Sequence, residues 1–293
     1  MPYVNGCSRN DRYITSIICI HMKGTALITG ASSGIGFSMA GILAGQGWDL
    51  VIVGRSTDTL ERMRGELSSK YGVKVIVVGA DLSQDGASQK VYDAVKDAGI
   101  EVDYLINCAG IGDFGLFMES DLKRQEDMIH VNNLALVSMT GLFVPDMISR
   151  GHGRLLNVSS VAAFQPGPLM SIYYASKAFV QSFSEAMAVE LRGTGVKVSV
   201  LCPGPTDTPF LEKAGQTEQN MYKKSSCVTA DKVAEYGLRK AEKGKVVIVC
   251  GLVFKLMIFF ERLVPRSVTR WAVFKLQGKP SPEAKRKAKE GKA

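Results

Sequence analysis

The 293-residue chain has only three histidines, and its six cysteines (Cys7, Cys19, Cys108, Cys202, Cys227, Cys250) lie far apart with no CxxC pair. A zinc site needs clustered thiolates or imidazoles, so no metal is expected, and the scattered thiols read as reduced in a cytoplasmic protein. No apolar run reaches the roughly 18 to 20 uninterrupted residues that span a bilayer. The opening MPYVNGCSRNDRYITSIICIHMK has one short apolar patch, ITSIICI, but lacks the basic stretch before it and the small-residue cleavage site after it that mark a secretory signal. Residues 1–21 are therefore expected to be a poorly ordered leader, with Met22 an alternative start. Evenly spread positive charge is lacking too. The formal net charge is +8, but the last fifteen residues, KPSPEAKRKAKEGKA, carry six Lys/Arg against two Glu. Half of the excess thus falls in a basic tail, 279–293, expected to be disordered, and no nucleic-acid partner is implied.

What is present is a 46% apolar chain, enough for one large buried core. From Lys23 onward, β-rich runs alternate with helix-length amphipathic segments. The runs are GTALIT, DLVIVG, VKVIVVG, VDYLINC, RLLNVS, VKVSVLC and KVVIVCG. Helices are expected near 34–46, 58–71, 84–98, 119–149, 171–193 and 230–242, the last capped by the Thr229 hydroxyl. This alternation predicts an α/β fold: a Rossmann-type, doubly wound, seven-stranded parallel sheet with helices on both faces, over residues 22–250. An amphipathic helical extension, 251–278, follows and is divided by Pro265. A lid or subunit-packing element is the leading reading of it, and an interfacial membrane anchor the alternative.

The stretch LITGASSGIG sets Gly30, Gly34 and Gly36 where the first strand turns into a helix. Glycine there permits a tight turn and lets backbone N–H groups approach a pyrophosphate at the positive helix end, although a glycine-rich turn alone is as readily an ordinary turn. The second strand ends VIVGRST, with Arg55 and no carboxylate before Asp58. An acidic residue there would bind the ribose hydroxyls of NAD, whereas arginine pairs with a 2′-phosphate, so NADP(H) is the expected cofactor. In SIYYASK, Tyr173 and Lys177 share a helix face at i and i+4, which would let the ammonium lower the phenol pKa. Tyr174 is rotated about 100° away and is expected to be a packing residue whose change to Phe is nearly silent. YxxxK pairs also arise by chance on many helices.

Further motifs occur in order: TGASSGIG (29–36), DL (81–82), NCAG (107–110), VNN (131–133), NVSS (157–160), YYASK (173–177) and PGPTDT (203–208). Together they resemble the short-chain dehydrogenase/reductase family in its classical single-domain form. Members usually have NNAG where this chain has Asn107-Cys108-Ala109-Gly110. The resemblance implies a catalytic set of Ser160, Tyr173, Lys177 and Asn132. Ser160 would bond the substrate carbonyl, Tyr173 give it a proton, Lys177 hold the nicotinamide ribose, and Asn132 hold a relay water. For the cofactor it implies Gly30, Ser32, Ser33, Gly34, Ile35 and Gly36 at the phosphates. Asp81 and Leu82 would flank the adenine, and Asn107, Ala109 and Gly110 the ribose region. Pro203, Gly204, Thr206 and Thr208 would lie on the nicotinamide side, with Tyr173 and Lys177. It also implies a homodimer or homotetramer through the long helices.

Three windows expected to wall the substrate, 111–117, 161–170 and 209–211, contain no Arg or Lys. A hydrophobic carbonyl or alcohol is expected rather than a small anion, with Phe114, Phe164, Met170 and Phe210 as pocket residues or, equally, core. Candidates are a 3-oxoacyl thioester, a steroid-like ketone and a retinoid-like aldehyde. The function expected is NADP(H)-dependent reduction of such a ketone or aldehyde, or oxidation of the matching alcohol. The rivals are a non-catalytic dinucleotide sensor or membrane-associated scaffold on the same fold, and an extended-type epimerase. The epimerase would need a TGxxGxxG loop and a larger C-terminal domain.

Overall fold

The structure is a computed structural model that describes residues 24–215 and 228–277; the expected leader and basic tail lie outside them. Seven strands form one sheet in the order β3-β2-β1-β4-β5-β6-β9 with every pairing parallel. They are β1 (Thr25–Thr29), β2 (Asp49–Gly54), β3 (Val75–Gly79), β4 (Tyr104–Asn107), β5 (Gly153–Val158), β6 (Val196–Cys202) and β9 (Val247–Val249). The helices are α1 (Gly34–Gly45), α2 (Thr57–Tyr71), α3 (Ala87–Asp97), α4 (Leu122–Ile129), α5 (Ala135–Arg150), α6 (Ser171–Glu190), α7 (Pro209–Lys213), α8 (Ala230–Glu242), α9 (Leu252–Glu261) and α10 (Arg266–Gln277). This is the expected Rossmann-type sheet.

Period-two alternation places the two halves of the core. Ala26 and Ile28 of β1 pack with Met39 and Leu43 of α1, Leu60 of α2 and Leu238 of α8. Their neighbour Leu27 points the other way, among Val91 of α3, Met139 and Phe143 of α5 and Leu191 beyond α6. Both faces of the strands are covered, so the strands read as nearly continuous apolar runs.

The structure departs from the sequence-based expectation at four places. The helix expected over 119–149 starts at Leu122, where Asp121 accepts a bond from Lys123 N, and it contains a π turn at His130–Leu134. The helical run Leu122–Arg150 is 29 residues long and apolar enough to cross a membrane by length and composition, but half of that window is buried in the fold. The helix expected from 84 starts at Ala87. Thr229 precedes α8 but its side chain makes no capping bond. Two short strands that the sequence did not predict, β7 (Thr206–Asp207) and β8 (Val228–Thr229), pair in parallel beside the C-terminal edge of the main sheet.

Candidate active site

A cleft of about 560 Å³ opens at the carboxyl ends of the strands, at the point between β1 and β4 where strand order reverses. Its floor is the turn from β1 into α1. Gly30 has φ +69°, and a Cβ on it would lie 2.8 Å from Ala109 Cα, so the β1 and β4 loops approach as only glycine allows. Thr29 fixes that approach, its Oγ1 accepting from Cys108 N (3.0 Å) and Ala109 N (3.1 Å). Sequence reasoning gave Thr29 no role, because its value depends on β4 lying alongside. Gly36 does not line the cleft. A Cβ there would sit 2.5 Å from Gly30 O, so this glycine brings α1 against the turn and aims its N-terminus at the cleft.

At the far end the cleft is lined by Arg55, Ser56, Asp81 and Leu82. Burial alone would raise the Asp81 pKa. Hydrogen bonds from Ser83 N (3.1 Å) and Ser83 Oγ (2.9 Å), with the fields of Arg55 and Lys123, outweigh it and hold the carboxyl below its ordinary value. Arg55 is exposed and makes no ion pair among the described residues. Ser32, Ser33, Gly34, Ile35, Ala109 and Gly110 line the middle of the cleft, and Pro203, Gly204, Thr206 and Thr208 its other rim. Asn107 is a correction. Its side chain is buried beneath the cleft, where Nδ2 donates to Asn157 Oδ1 (3.0 Å) and Thr140 Oγ1 (3.3 Å), so it holds strands and helix together and does not face a ligand.

One wall carries Ser160, Tyr173 and Lys177. Ser159 and Ser160 diverge as neighbouring extended residues do. Ser159 Oγ turns away to donate to Lys177 O (2.7 Å), while Ser160 lines the cleft with Tyr173, its Oγ accepting from Ala162 N (3.1 Å). Lys177 Nζ lies 5.9 Å from the Tyr173 ring centroid and donates to Val158 O (2.9 Å). Burial pushes the Tyr173 phenol up to about 12, against the opposing effect of the Ser160 hydroxyl. Burial likewise pushes Lys177 down to about 8, with Cys108 and Cys202 opposing. Cys108, at the variant position of NCAG, lines the cleft as a thiol that burial raises to about 11.

Asn132 falls within the π turn, which re-aims a side chain inside an otherwise regular helix. Its Oδ1 accepts from Ile111 N (2.9 Å), and its Nδ2 donates to Ile111 O (3.0 Å) and Ser176 Oγ (2.9 Å). A Cβ on Gly110 would lie 3.3 Å from both Asn132 Oδ1 and Lys177 Nζ, so the buried Asn132 amide backs the cleft wall that Gly110 and Lys177 line. Ser176, which sequence reasoning missed, links this amide to Tyr173 O (2.7 Å).

On the substrate side, Met170 and Phe210 line the cleft, and the Phe210 and Tyr173 rings lie 5.2 Å apart. Phe114 and Phe164 do not line it. Phe114 is buried with Leu169, Tyr174 and Val273, and Phe164 packs on Val180 of α6 and on Val200 and Cys202 of β6, because the segments that carry them fold inward onto the core. Two cations reach the cleft from outside the three apolar windows: Lys213, and Arg124, which bonds Asp113 Oδ1 (2.7 Å), Gly112 O (3.1 Å) and Lys213 O (2.7 Å). The Arg124 charge is met by Asp113, and its bonds strap α7 to the loop after β4.

A dinucleotide-shaped cleft at the topological switch point, with a serine, a tyrosine and a lysine on one wall, defines a nicotinamide-type Rossmann protein. The family profile described as short chain dehydrogenase matches residues 24–219, and the chain belongs to that family. It is 37% identical over 189 residues to 17-beta-hydroxysteroid dehydrogenase type 3 of Mus musculus, and 34% over 184 residues to the very-long-chain 3-oxoacyl-CoA reductase of Anas platyrhynchos. These matches cover 63% and 61% of this chain but only 61% and 58% of those relatives. The Rattus norvegicus 17-beta-hydroxysteroid dehydrogenase type 3 is 31% identical over 275 residues, 89% of this chain and 86% of that one. Among solved structures, the short-chain dehydrogenase from Sphingobium yanoikuyae in complex with NADPH superposes with a TM-score of 0.75 at 30% identity, covering 82% of this chain and 92% of that one. One from Burkholderia phymatum in complex with NAD gives 0.74 at 26%, covering 84% and 95%.

Proposed function

We propose that this protein is an NADP(H)-dependent oxidoreductase that reduces a hydrophobic ketone or aldehyde. The observation that carries the reading is the wall on which Ser160, Tyr173 and Lys177 line one cleft, with Lys177 Nζ 5.9 Å from the Tyr173 ring centroid and Arg55 at the cleft's other end. The cleft would hold a reduced nicotinamide, which when bound would supply the hydride that reaches the carbonyl carbon. Every other part of the step belongs to this chain. A phenol held at about 12 is protonated at neutral pH, so Tyr173 is ready to give its proton to the carbonyl oxygen as negative charge develops there. The Ser160 hydroxyl donates to the same oxygen, a stabilisation that strengthens as the charge grows. Lys177, fixed by Val158 O, presents its remaining N–H donors to the ribose end of the cleft. Asn132 and Ser176 brace the helix that carries Tyr173 and Lys177.

Arg55 favours the phosphorylated cofactor because an uncommitted guanidinium matches a 2′-phosphate in a bidentate manner, and the Lys123 field adds to it. Met170, Phe210, Val161 and Ala162 give the substrate end an apolar lining, in keeping with relatives named for steroids and long acyl chains. Steady-state assays with NADPH and a panel of acyl, steroid and aldehyde carbonyls test the reading. Tyr173→Phe is expected to lower kcat by at least about a hundredfold with NADPH affinity retained, and full turnover by this variant would end the assignment. Arg55→Asp is expected to move the NADPH/NADH preference toward NADH by about tenfold or more; an unchanged ratio would remove Arg55 from the phosphate site.

A further inference from the structure

Helices α9 and α10 each commit only one side to the body of the protein. On α9 the inward residues are Phe254, whose ring covers Gly204, and Ile258. On α10 they are Thr269, Val273 and Gln277; Val273 joins the cluster of Met170 and Tyr174, and Gln277 Nε2 donates to Tyr174 Oη (2.8 Å). The outward sides are apolar. At 100° per residue, Leu252, Val253, Leu256, Phe259 and Phe260 fall in one arc of about 120° opposite Ile258. Val253 is 75% exposed, Leu252 69% and Phe259 59%. Leu263 and Val264 at the turn are exposed, and Trp271 (63% exposed) and Phe274 continue the surface on α10. A smaller exposed apolar group, Leu116, Phe117, Met118 and Leu122, lies after β4; the larger number falls on this hairpin.

Charge names the occupant. Arg262, Arg266, Arg270 and Lys275 lie on this hairpin, with Lys255 turned to Tyr236 Oη (3.2 Å), against a single carboxylate, Glu261, whose pKa burial raises. Lys275 Nζ sits 5.8 Å from the Trp271 ring centroid, a cation paired with an amphipathic aromatic. The sequence after Gln277 adds six Lys/Arg against two Glu. A second copy of the same face would oppose cation to cation, and protein interface cores are depleted in lysine. A headgroup layer supplies the anions, and the acyl boundary beneath it takes up the apolar arc. Helices of ten and twelve residues are about 15 and 18 Å long, too short to cross about 30 Å of hydrocarbon, so they would lie in the interface plane.

We propose that the outer face of the α9–α10 hairpin docks onto an anionic lipid bilayer, apolar arc inward and cations at the headgroups. The inner face of the same hairpin closes the substrate-side cluster. The docking itself does not depend on the chemistry proposed above, because it is read by lipid binding alone.

The full chain is tested by cosedimentation with vesicles of phosphatidylcholine alone and of phosphatidylcholine with phosphatidylserine, and by tryptophan emission. The chain has two tryptophans, and Trp48 is only 6% exposed, so a shift on lipid addition reports Trp271. Binding to the phosphatidylserine vesicles with a blue shift supports the proposal. Phe259→Asp with Phe260→Asp should reduce the bound fraction at least about tenfold, since two apolar insertions are lost. Arg262→Glu with Arg270→Glu should abolish the preference for phosphatidylserine, and thermal melting checks that both variants remain folded. The proposal is overturned if the wild type stays in the supernatant with both vesicles, or if the folded Phe259→Asp/Phe260→Asp variant binds like wild type. It is also overturned if light scattering shows a dimer that this variant splits, which would make the face a contact between copies.

Discussion

Two adjacent tyrosines on one helix do different things because a helix turns by 100° per residue. Both border the cleft, but Tyr173 faces Ser160 and Lys177, whereas the Tyr174 ring lies over Gly167 and its hydroxyl accepts from Gln277, 103 residues away in sequence. That Tyr173 shares a face with Lys177 and Tyr174 does not was legible in the i to i+4 spacing. The hydroxyl's partner was not, and it overturns the expectation that Tyr174→Phe is silent. Gln277 is 1% exposed, so removing its acceptor leaves a buried amide unsatisfied. We expect Tyr174→Phe to lower stability by about 1–3 kcal/mol, read as a fall of several degrees in melting temperature, and an unchanged melting curve would refute the role of this bond. Ser160 over Ser159 is a similar case: strand alternation says that the two must differ, and packing against α6 says which one turns inward.

Helix α6 delivers Tyr173, Ser176 and Lys177 to one wall, and what precedes it fixes where it starts. Leu169 is the one non-glycine among the described residues with positive φ, +67°, and its carbonyl accepts from Gly115 N (2.8 Å). Such a backbone costs of order 1–2 kcal/mol and is sustained by burial of the leucine in the cluster with Phe114 and Tyr174. No local pattern announces it, because the compensation is tertiary. The π turn that carries Asn132 is equally silent in sequence, since the apolar periodicity of α4 and α5 reads through it. Helix α1 is the opposite case. Its start is written in glycines, and the contact distance adds what Gly36 is for. Gly36→Ala would set a methyl against Gly30 O and push the helix N-terminus out of line. The expected result is NADPH affinity weaker by about tenfold or more, measured by fluorescence titration; wild-type affinity would show that the turn can shift without cost.

Across the whole molecule, the site divides between parts with different sequence visibility. The cofactor end is assembled from β1, β2, β3 and their following loops, each local and each marked by glycine, Arg55 or Asp81. Helix α10 packs behind the substrate side, where Val273 joins the cluster of Phe114, Met170 and Tyr174 and Gln277 bonds Tyr174. Ending the chain at Leu263 should therefore raise KM for a hydrophobic carbonyl several-fold while NADPH affinity changes by less than about twofold; equal losses in both would mean that the hairpin supports the whole fold rather than one end of the cleft. By itself, the sequence determined the parallel sheet, the cofactor turn and the tyrosine–lysine pair, since strand and helix periodicity and i to i+4 spacing are local properties of a chain. It left open which phenylalanines meet the cleft, what Asn107 does and where the final hairpin rests. Those were decided only by the tertiary structure, because an apolar or amide side chain carries no local mark of whether the surface it meets is a core, a partner strand or a ligand site.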